Sequence, residues 1–246
     1  MELRVLGANG TYPTAGHPAA GYLLSHDGTR VWIDAGAGSL IALQDLMDPA
    51  DLDAVIVSHI HADHSSDLFP AYHYLRFGPT PRSGLPLFVP EGAAQRMTAY
   101  VDPDGGTFAS TFDVRVPAAG EAYPVGALAF RFDRADHPVP TLLVRAEAEG
   151  RSLAYSADTG TDCDLVGLAA GANTLLCEAT FQGVDKPAPH HLTAREAGEI
   201  AHRAGVERLI LTHVLPTLDP KQSIEEAAAG FGGDVMAAAP GLEVLI

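Results

Sequence analysis

Short apolar segments separated by turn-forming residues recur along the chain and predict β-strands. In the first half, the predicted strands are Leu3–Leu6, Tyr22–Ser25, Arg30–Asp34, Val55–Val57 and Leu87–Val89. Turn-rich stretches separate the first three of these, so we expect them to form the antiparallel edge of a sheet. Apolar residues at helical spacing predict helices at Ser39–Leu46, Asp67–Phe77 and Ala93–Tyr100.

The middle of the chain, residues 79 to 126, is punctuated by proline and glycine. Its segment Asp102–Thr111, DPDGGTFAST, is small, polar and rich in glycine. Such a segment predicts a flexible loop, with a lid over a functional site as the alternative.

The strongest chemical signal follows the strand Val55–Val57, where the sequence HIHADH has the pattern H-x-H-x-D-H. In extended backbone, residues two apart point the same way, so His59 and His61 can converge on one metal ion. The turn then directs Asp63 and His64 to a second position nearby. A solvated loop with histidines by chance is the alternative, but four potential ligands within six positions favour a metal site. Imidazole and carboxylate ligands suit zinc, and they also accept manganese or iron.

Polar residues also follow the strands that we predict in the second half. Leu128–Phe132 leads to His137, Ser152–Ser156 leads to Asp158, and Leu209–Thr212 leads to His213. Enzymes of the α/β class gather a site from such strand ends. A single His or Asp at a strand end is more often a turn residue, so the set indicates a site better than any member does.

The H-x-H-x-D-H loop resembles the signature of the metallo-β-lactamase-fold hydrolases, in particular the branch of ribonuclease Z and related phosphodiesterases. Seven positions reproduce the ligand set of that family in order: His59, His61, Asp63, His64, His137, Asp158 and His213. The resemblance implies an α/β fold, a four-layer αββα sandwich with two mixed sheets inside and helices outside. It also implies two divalent metal ions, Zn²⁺ first, with Mn²⁺ or Fe as alternatives.

The same resemblance implies a role for each ligand. His59, His61 and His137 would bind one ion, Asp63, His64 and His213 would bind the other, and Asp158 would bridge them. Asp63 is also counted among the catalytic residues. Asp34, in the sequence IDAG after a predicted strand, is expected to support the metal loop through hydrogen bonds, with the capping of a turn as the alternative.

The segment PHHLTAREAGEIA supplies a further group of candidates. Thr193 and Glu196 have the spacing of a capping box, which predicts a helix beginning near Ala194. The segment resembles the H-[ST]-T-A-x-x-A motif of ribonuclease Z relatives, in which the histidine protonates the departing oxygen. This implies that His191 is the general acid and that Glu178, in LLCEATF, orients it. Leu192 departs from the motif, and His190 is the alternative acid.

Composition and charge limit the classes of protein that the chain can represent. Its 246 residues, 47% of them hydrophobic, predict one domain over residues 1–246. No apolar run approaches the roughly 20 residues that span a bilayer, and no signal-like segment precedes the first strand, so we expect a cytoplasmic protein. Cys163 and Cys177 are expected to be reduced structural thiols. A net charge of −16 disfavours extended contact with nucleic acid, and a homodimer is left open.

The implied chemistry is hydrolysis by a hydroxide that bridges two ions. Ribonuclease Z enzymes carry a long arm between the positions of His137 and Asp158, which here lie 21 positions apart. The segments AAGYLL, LAYSADTG, LLCEA, HLTAREAG and LILTH resemble actinobacterial cyclic-nucleotide phosphodiesterases. We therefore predict a phosphodiesterase for a small cyclic nucleotide such as cyclic AMP. The alternatives are a ribonuclease Z-type tRNA endonuclease and a lactone or ester hydrolase, while the intact ligand set disfavours a non-catalytic protein.

Overall fold

The computed structural model of the chain describes residues 1–103, 106–184 and 186–246. Within these residues, two sheets of seven strands each lie at the centre of the fold. The first sheet contains, in spatial order, β14 (Glu243–Leu245), β1 (Glu2–Gly7), β2 (Gly21–His26), β3 (Thr29–Ile33), β4 (Ala54–Ile56), β5 (Leu85–Phe88) and β6 (Phe112–Arg115). The second contains β13 (Val235–Ala237), β12 (Arg208–Thr212), β11 (Thr174–Glu178), β10 (Arg151–Tyr155), β9 (Leu142–Ala148), β8 (Leu128–Arg134) and β7 (Ala122–Val125).

Both sheets are mixed, and they are built in the same way. In the first sheet, β3 to β6 pair in parallel and β14 to β3 pair antiparallel. In the second sheet, β10 to β13 pair in parallel and β7 to β10 pair antiparallel. The predicted antiparallel edge formed by the first three strands is therefore confirmed, and the chain consists of two similar halves.

Helices cover the outer face of each sheet. They are α1 (Ser39–Gln44), α2 (Ala62–Ser65), α3 (Leu68–Phe77), α4 (Ala93–Val101), α5 (Thr107–Thr111), α6 (Leu165–Leu168), α7 (Ala194–Ala204) and α8 (Pro220–Phe231), with a 3₁₀ turn at Pro49–Asp51. The helices predicted near residues 39, 67 and 93 are confirmed with small shifts at their ends. Helix α7 begins at Ala194 as predicted, because Thr193 and Glu196 form the capping box.

Three apolar clusters separate the four layers. One lies between the sheets and includes Tyr22 from the first and Phe130 from the second. A second cluster joins Trp32 to the helices outside the first sheet, and the third joins Leu175 and Ile200 outside the second sheet. Alternate residues of a strand thus face different layers, as the period of two requires. The four-layer αββα prediction is confirmed, whereas the single domain, the homodimer and the cytoplasmic location stay predictions.

Two segments that we predicted as loops contain helical turns. Residues 62 to 65 of the metal loop form α2, so Asp63 and His64 project from a helical turn. In the segment Asp102–Thr111, helix α5 begins at Thr107, and the Asp102 carboxylate accepts hydrogen bonds from the backbone N–H groups of Thr107 and Phe108. Phe108 is buried in the core, so this end of the segment packs against the first half of the fold, while the lid stays a prediction. Residues 104 and 105 lie outside the described part of the chain.

The connection between His137 and Asp158 is a β-hairpin. Strands β9 and β10 pair from Ala148 and Arg151 onward, and both turn residues, Glu149 and Gly150, have positive φ as a two-residue hairpin requires. This short connection agrees with the prediction of one strand pair and no arm. Across the described residues, no helix is long and apolar enough to cross a membrane.

Helices α7 and α8 approach each other closely through glycines. A Cβ at Gly198 would lie 2.1 Å from the backbone oxygen of Ala227, and a Cβ at Gly230 would lie 2.8 Å from that of Arg195. Both distances are too short for any Cβ contact, and a backbone oxygen cannot rotate away as a side chain can. The small residues therefore set the separation of the two helices.

We expect Gly198→Ala to destabilise the protein. Alanine ordinarily stabilises a helix interior by about 1 kcal/mol relative to glycine, but overpacking costs about 1–3 kcal/mol or more, so the overlap dominates. Chemical denaturation should show a lower free energy of unfolding. Glu199→Ala, on the exposed side of the same helix, is the control and should change this value by less than about 0.5 kcal/mol. Equal stabilities of the two variants would contradict the packing argument.

Candidate metal centre

The candidate residues meet at one rim of the sandwich, where several strands end. The loop after β4 carries the H-x-H-x-D-H segment, and His137, Asp158, Glu178 and His213 lie at or after the ends of β8, β10, β11 and β12. The structure brings together all nine predicted residues: His59, His61, Asp63, His64, His137, Asp158, Glu178, His191 and His213. Distant parts of the sequence thus contribute to one site.

One group of donor atoms comes from His59, His61, His137 and Asp158, and these atoms all lie within 4.8 Å of one another. His61 Nδ1 is 3.1 Å from His137 Nε2. His59 Nε2 is 3.7 Å from Asp158 Oδ2. Three imidazoles and a carboxylate facing one point form a donor set that suits a divalent transition metal.

A second group comes from Asp63, His64, Asp158 and His213, again with donor atoms within 4.8 Å of one another. His213 Nε2 lies 3.0 Å from Asp63 Oδ2 and 3.3 Å from Asp158 Oδ1. His64 Nε2 lies 3.1 Å from Asp158 Oδ1. Asp158 belongs to both groups and offers one oxygen to each, so it is the residue through which two ions would be joined.

Three buried atoms in these groups indicate that the site is built for cations. His59 Nε2, His64 Nε2 and Asp158 Oδ1 are buried and have no hydrogen-bond partner among the residues that the structure describes. Leaving a buried polar atom unsatisfied costs about 1–3 kcal/mol. Metal coordination would satisfy all three atoms, so the residues present fit divalent ions.

Asp34 lies beneath the second group, fully buried at the end of β3. Its carboxylate accepts hydrogen bonds from the Ser58 backbone N–H at 2.6 Å, from the Ser58 hydroxyl at 2.9 Å and from the Tyr155 hydroxyl at 2.6 Å. It also lies 2.7 Å from His64 Nδ1. Because a carboxylate only accepts, His64 must carry a proton on Nδ1 and can offer Nε2 to a metal. Asp34 supports the metal loop as expected.

Glu178 is the corresponding carboxylate of the second half, also fully buried. It accepts from the backbone N–H groups of Thr159 and Leu192 and from the Thr180 hydroxyl, at 2.7, 3.1 and 2.6 Å. His191 Nδ1 lies 3.0 Å from Glu178 Oε1. The buried Glu178 carboxylate therefore has hydrogen-bond partners, and one of them is His191, the residue that we expected it to orient.

His191 lies between the two donor groups. Its ring centroid is 5.2 Å from that of His137 and 5.7 Å from that of His213, and Nδ1 is 4.0 Å from Asp158 Oδ2. Burial alone would lower the pKa of His191, but the hydrogen bond and charge of Glu178 outweigh it and raise the pKa above its ordinary value. His190 points elsewhere, its Nδ1 being 2.7 Å from Asp136 Oδ1.

The site histidines differ in the direction of their pKa shifts. Burial lowers the pKa values of His59, His61 and His137, so these rings favour the neutral form that binds metal. Burial also works to lower the pKa of His64, but the carboxylates of Asp158 and Asp34 raise it well above its ordinary value. Among these four candidate ligands, His64 is therefore the one whose surroundings favour the protonated ring.

Unusual backbone conformations surround the site. Among the described non-glycine residues with positive φ are Asp34 at 56°, Ala157 at 48° and His213 at 55°. Such conformations cost about 1–3 kcal/mol each and persist where the surrounding structure fixes them. Here they occur at Asp34 and His213, two residues of the site, and at Ala157, which directly precedes Asp158.

Sequence reasoning missed three residues that contact the site. Ser58 directly precedes His59, and Thr180 follows Glu178 by two positions. Both could have been predicted from their proximity in sequence to candidate site residues at strand ends. Tyr155 reaches Asp34 across 121 positions of sequence, and no local pattern indicates that contact.

Two mixed sheets covered by helices, with His and Asp donors gathered at one rim, define a metal-dependent hydrolase of the metallo-β-lactamase fold. A family model described as the beta-lactamase superfamily domain matches residues 29–214, which includes every residue of the donor groups. The chain belongs to the beta-lactamase superfamily.

Individual relatives cover nearly the whole chain. It is 39% identical over 244 residues to the uncharacterized protein Rv1339 of Mycobacterium tuberculosis. The aligned region covers 96% of this chain and 89% of that protein. It is 26% identical over 249 residues to the probable metallo-hydrolase YhfI of Bacillus subtilis, with 98% of both covered. The crystal structure of YhfI matches 99% of each chain with a TM-score of 0.90 and 24% identity. Ribonuclease Z of Mycobacterium bovis is 29% identical over 266 residues, covering 96% of this chain and 94% of that protein.

Metal binding should release a proton, because an ion at His64 Nε2 must displace the proton that Asp34 and Asp158 stabilise there. Because the pKa of His64 is raised, we expect the affinity for Zn²⁺ to rise with pH above about 6.5, the ordinary pKa of histidine. Calorimetric titration of the metal-free protein in two buffers of different ionisation enthalpy should give different heats. His64→Gln should lose the buffer-dependent part of the heat. Identical heats in both buffers for the wild type would show that His64 is already neutral.

Proposed function

We propose that the protein is a dinuclear metal hydrolase that acts on a small cyclic phosphodiester such as cyclic AMP. His59, His61 and His137 would hold one ion and Asp63, His64 and His213 the other, with Asp158 shared. The observation that supports this most directly is the His191–Glu178 pair beside both donor groups, because it adds a proton donor to a metal centre. Zn²⁺ fits the donors best, with Mn²⁺ or Fe as alternatives.

Bound divalent ions supply a water nucleophile at neutral pH and offset the negative charge of a phosphodiester. The residues of the chain perform the remaining tasks. Asp158 and Asp63 hold the ligand geometry, and His191 donates a proton to the departing oxygen. Glu178 keeps His191 oriented by accepting from Nδ1, which leaves Nε2 as the nitrogen that can face a substrate.

The proton donor favours phosphodiesters over carbonyl substrates. The alkoxide that leaves a cyclic nucleotide is strongly basic and needs a proton as the bond to phosphorus breaks. The hydrogen bond and charge of Glu178 raise the pKa of His191, which increases its protonated fraction and suits that role. A lactone or ester hydrolase remains the alternative, and it would depend less on His191.

The size of the substrate is inferred from charge and from the β9–β10 hairpin. A ribonuclease Z relative makes tRNA cleavage the second candidate. However, the net charge is −16, and the hairpin between His137 and Asp158 provides no extended arm to hold an RNA. A polyanion loses more binding energy than a small monoanion on such a surface. These features support a cyclic mononucleotide.

The general-acid role predicts a loss that depends on the leaving group. His191→Ala should lower the turnover of cyclic AMP by roughly 10²–10⁴-fold, because the alkoxide then departs without a proton. The loss should be much smaller for bis(p-nitrophenyl) phosphate, whose nitrophenolate leaves unaided. Steady-state kinetics on metal-loaded protein measure both.

The matched control for this prediction is His190→Ala, which removes the neighbouring, partly buried imidazole and keeps the backbone. It should affect both substrates little. A leaving-group-dependent loss in this variant instead would reassign the acid to His190, and equal losses on both substrates in His191→Ala would assign His191 to binding.

The substrate prediction is tested by direct comparison. At equal enzyme concentration, we expect turnover of cyclic AMP and no cleavage of precursor tRNA at physiological salt, because the acidic surface repels long RNA. A panel that adds lactones covers the carbonyl alternative, and Asp158→Asn controls for contaminating activity. Efficient and correctly placed tRNA cleavage without activity on cyclic AMP would refute the proposal and favour ribonuclease Z.

A further inference from the structure

We propose that two buried hydroxyls, those of Ser58 and Thr180, are positioning groups that fix which ring nitrogen of a metal ligand carries the proton. Each hydroxyl would link one imidazole to one buried carboxylate, so that each metal position has such a link behind it. The inference rests on the proposed dinuclear site, and it assigns a role to two residues that bind no ion themselves.

The first link runs from Asp34 through Ser58 to His59. The Ser58 hydroxyl lies 2.9 Å from Asp34 Oδ2 and 3.1 Å from His59 Nδ1, and all three residues are fully buried. A hydroxyl has one proton, and a carboxylate can only accept, so this proton points to Asp34. Ser58 then accepts from His59 Nδ1–H, which leaves a lone pair on Nε2.

The second link runs from Glu178 through Thr180 to His213. The Thr180 hydroxyl lies 2.6 Å from Glu178 Oε2 and 2.9 Å from His213 Nδ1, with all three residues buried. The same reasoning puts the hydroxyl proton on the Glu178 side and the imidazole proton on Nδ1. His213 Nε2, which lies 3.0 Å from Asp63 Oδ2 and 3.3 Å from Asp158 Oδ1, is then the nitrogen that faces the second donor group and would coordinate an ion.

The two links share one design. Each carboxylate holds one imidazole directly, His64 for Asp34 and His191 for Glu178. Each also holds a second imidazole through a hydroxyl on a neighbouring residue. One buried carboxylate thus orients two imidazole rings. Burying a second carboxylate for the second ring would cost several kcal/mol more. In the second half, the same carboxylate serves both the acid and a metal ligand.

A matched threonine at the start of β11, the strand that leads to Thr180, allows a direct test. Thr174 opens β11, is as buried as Thr180, and its hydroxyl has no hydrogen-bond partner among the described residues. Thr174→Val therefore makes the same chemical change as Thr180→Val without breaking a link. Thr180→Ser is the conservative variant, because it keeps the hydroxyl.

The experiment measures Zn²⁺ affinity of the whole protein by competition with a chromophoric chelator. Loss of a partner that orients a metal ligand typically weakens binding 10–100-fold. We expect Ser58→Ala to weaken one ion by this factor, Thr180→Val to weaken the other, and the double variant to weaken both. Thr174→Val and Thr180→Ser should bind like the wild type.

The outcomes separate this inference from the proposed function. If the wild type binds two ions and Thr180→Val binds both with unchanged affinity, the role of Thr180 is refuted while the dinuclear site stands. A double variant that keeps one tight ion would show that the hydroxyls do not serve separate positions. A wild type that binds no ion would refute the metal site and this inference together.

A measurement on the wild type does not depend on the variants folding. In the zinc-loaded protein, nitrogen–proton NMR correlations of the histidine rings report which nitrogen is protonated, and the His213 signals are those lost in His213→Gln. We expect the proton on Nδ1 of His59 and His213. A proton on Nε2 of either ring would overturn the corresponding link.

Discussion

An imidazole binds a metal ion only through a nitrogen that carries no proton, and much of the buried polar structure of this protein serves that constraint. Asp34 and Glu178 are fully buried carboxylates that accept several hydrogen bonds each. Burying a charge without such partners is prohibitive, so the donors and the carboxylates must fold as one unit. The carboxylates in turn give neighbouring imidazoles an acceptor for Nδ1–H. The same hydrogen bonds therefore stabilise the buried carboxylates and place the imidazole proton on Nδ1.

The sandwich supplies this arrangement twice because its halves are built alike. In each sheet, parallel strands end at the rim, and a carboxylate follows or closes one of them: Asp34 after β3 and Glu178 at the end of β11. The left-handed backbone at Asp34 and His213 turns the chain sharply so that side chains face the rim. Since such residues cost about 1–3 kcal/mol each, the stable strand pairs beneath them provide the rigidity that the site needs. The unfavourable backbone conformations thus lie at the site, and the packing of the sheets and helices below offsets their cost.

The sequence was most informative where chemistry is carried by rare residues at strand ends. The H-x-H-x-D-H loop, the capping box of Thr193 and Glu196, and the strand before His213 were all readable, because each depends on spacing within a few residues. Helices α2 and α5 were missed because each is a single short turn with no apolar period. The contact from Tyr155 to Asp34 depends on how two sheets stack, which local patterns do not encode.

The acidic composition is compatible with the anionic substrate that we propose, because electrostatic interactions have a limited range. At physiological ionic strength, screening acts over about 8 Å, so charges on distant parts of the outer helices contribute little where the donor groups meet. There, the local field is dominated by the imidazoles and by any cation that they hold with Asp158. A cyclic mononucleotide is small enough to experience that local field alone. A folded RNA extends over many screening lengths and would meet the acidic surface as well, so the proposed preference for the small substrate agrees with the charge of the chain.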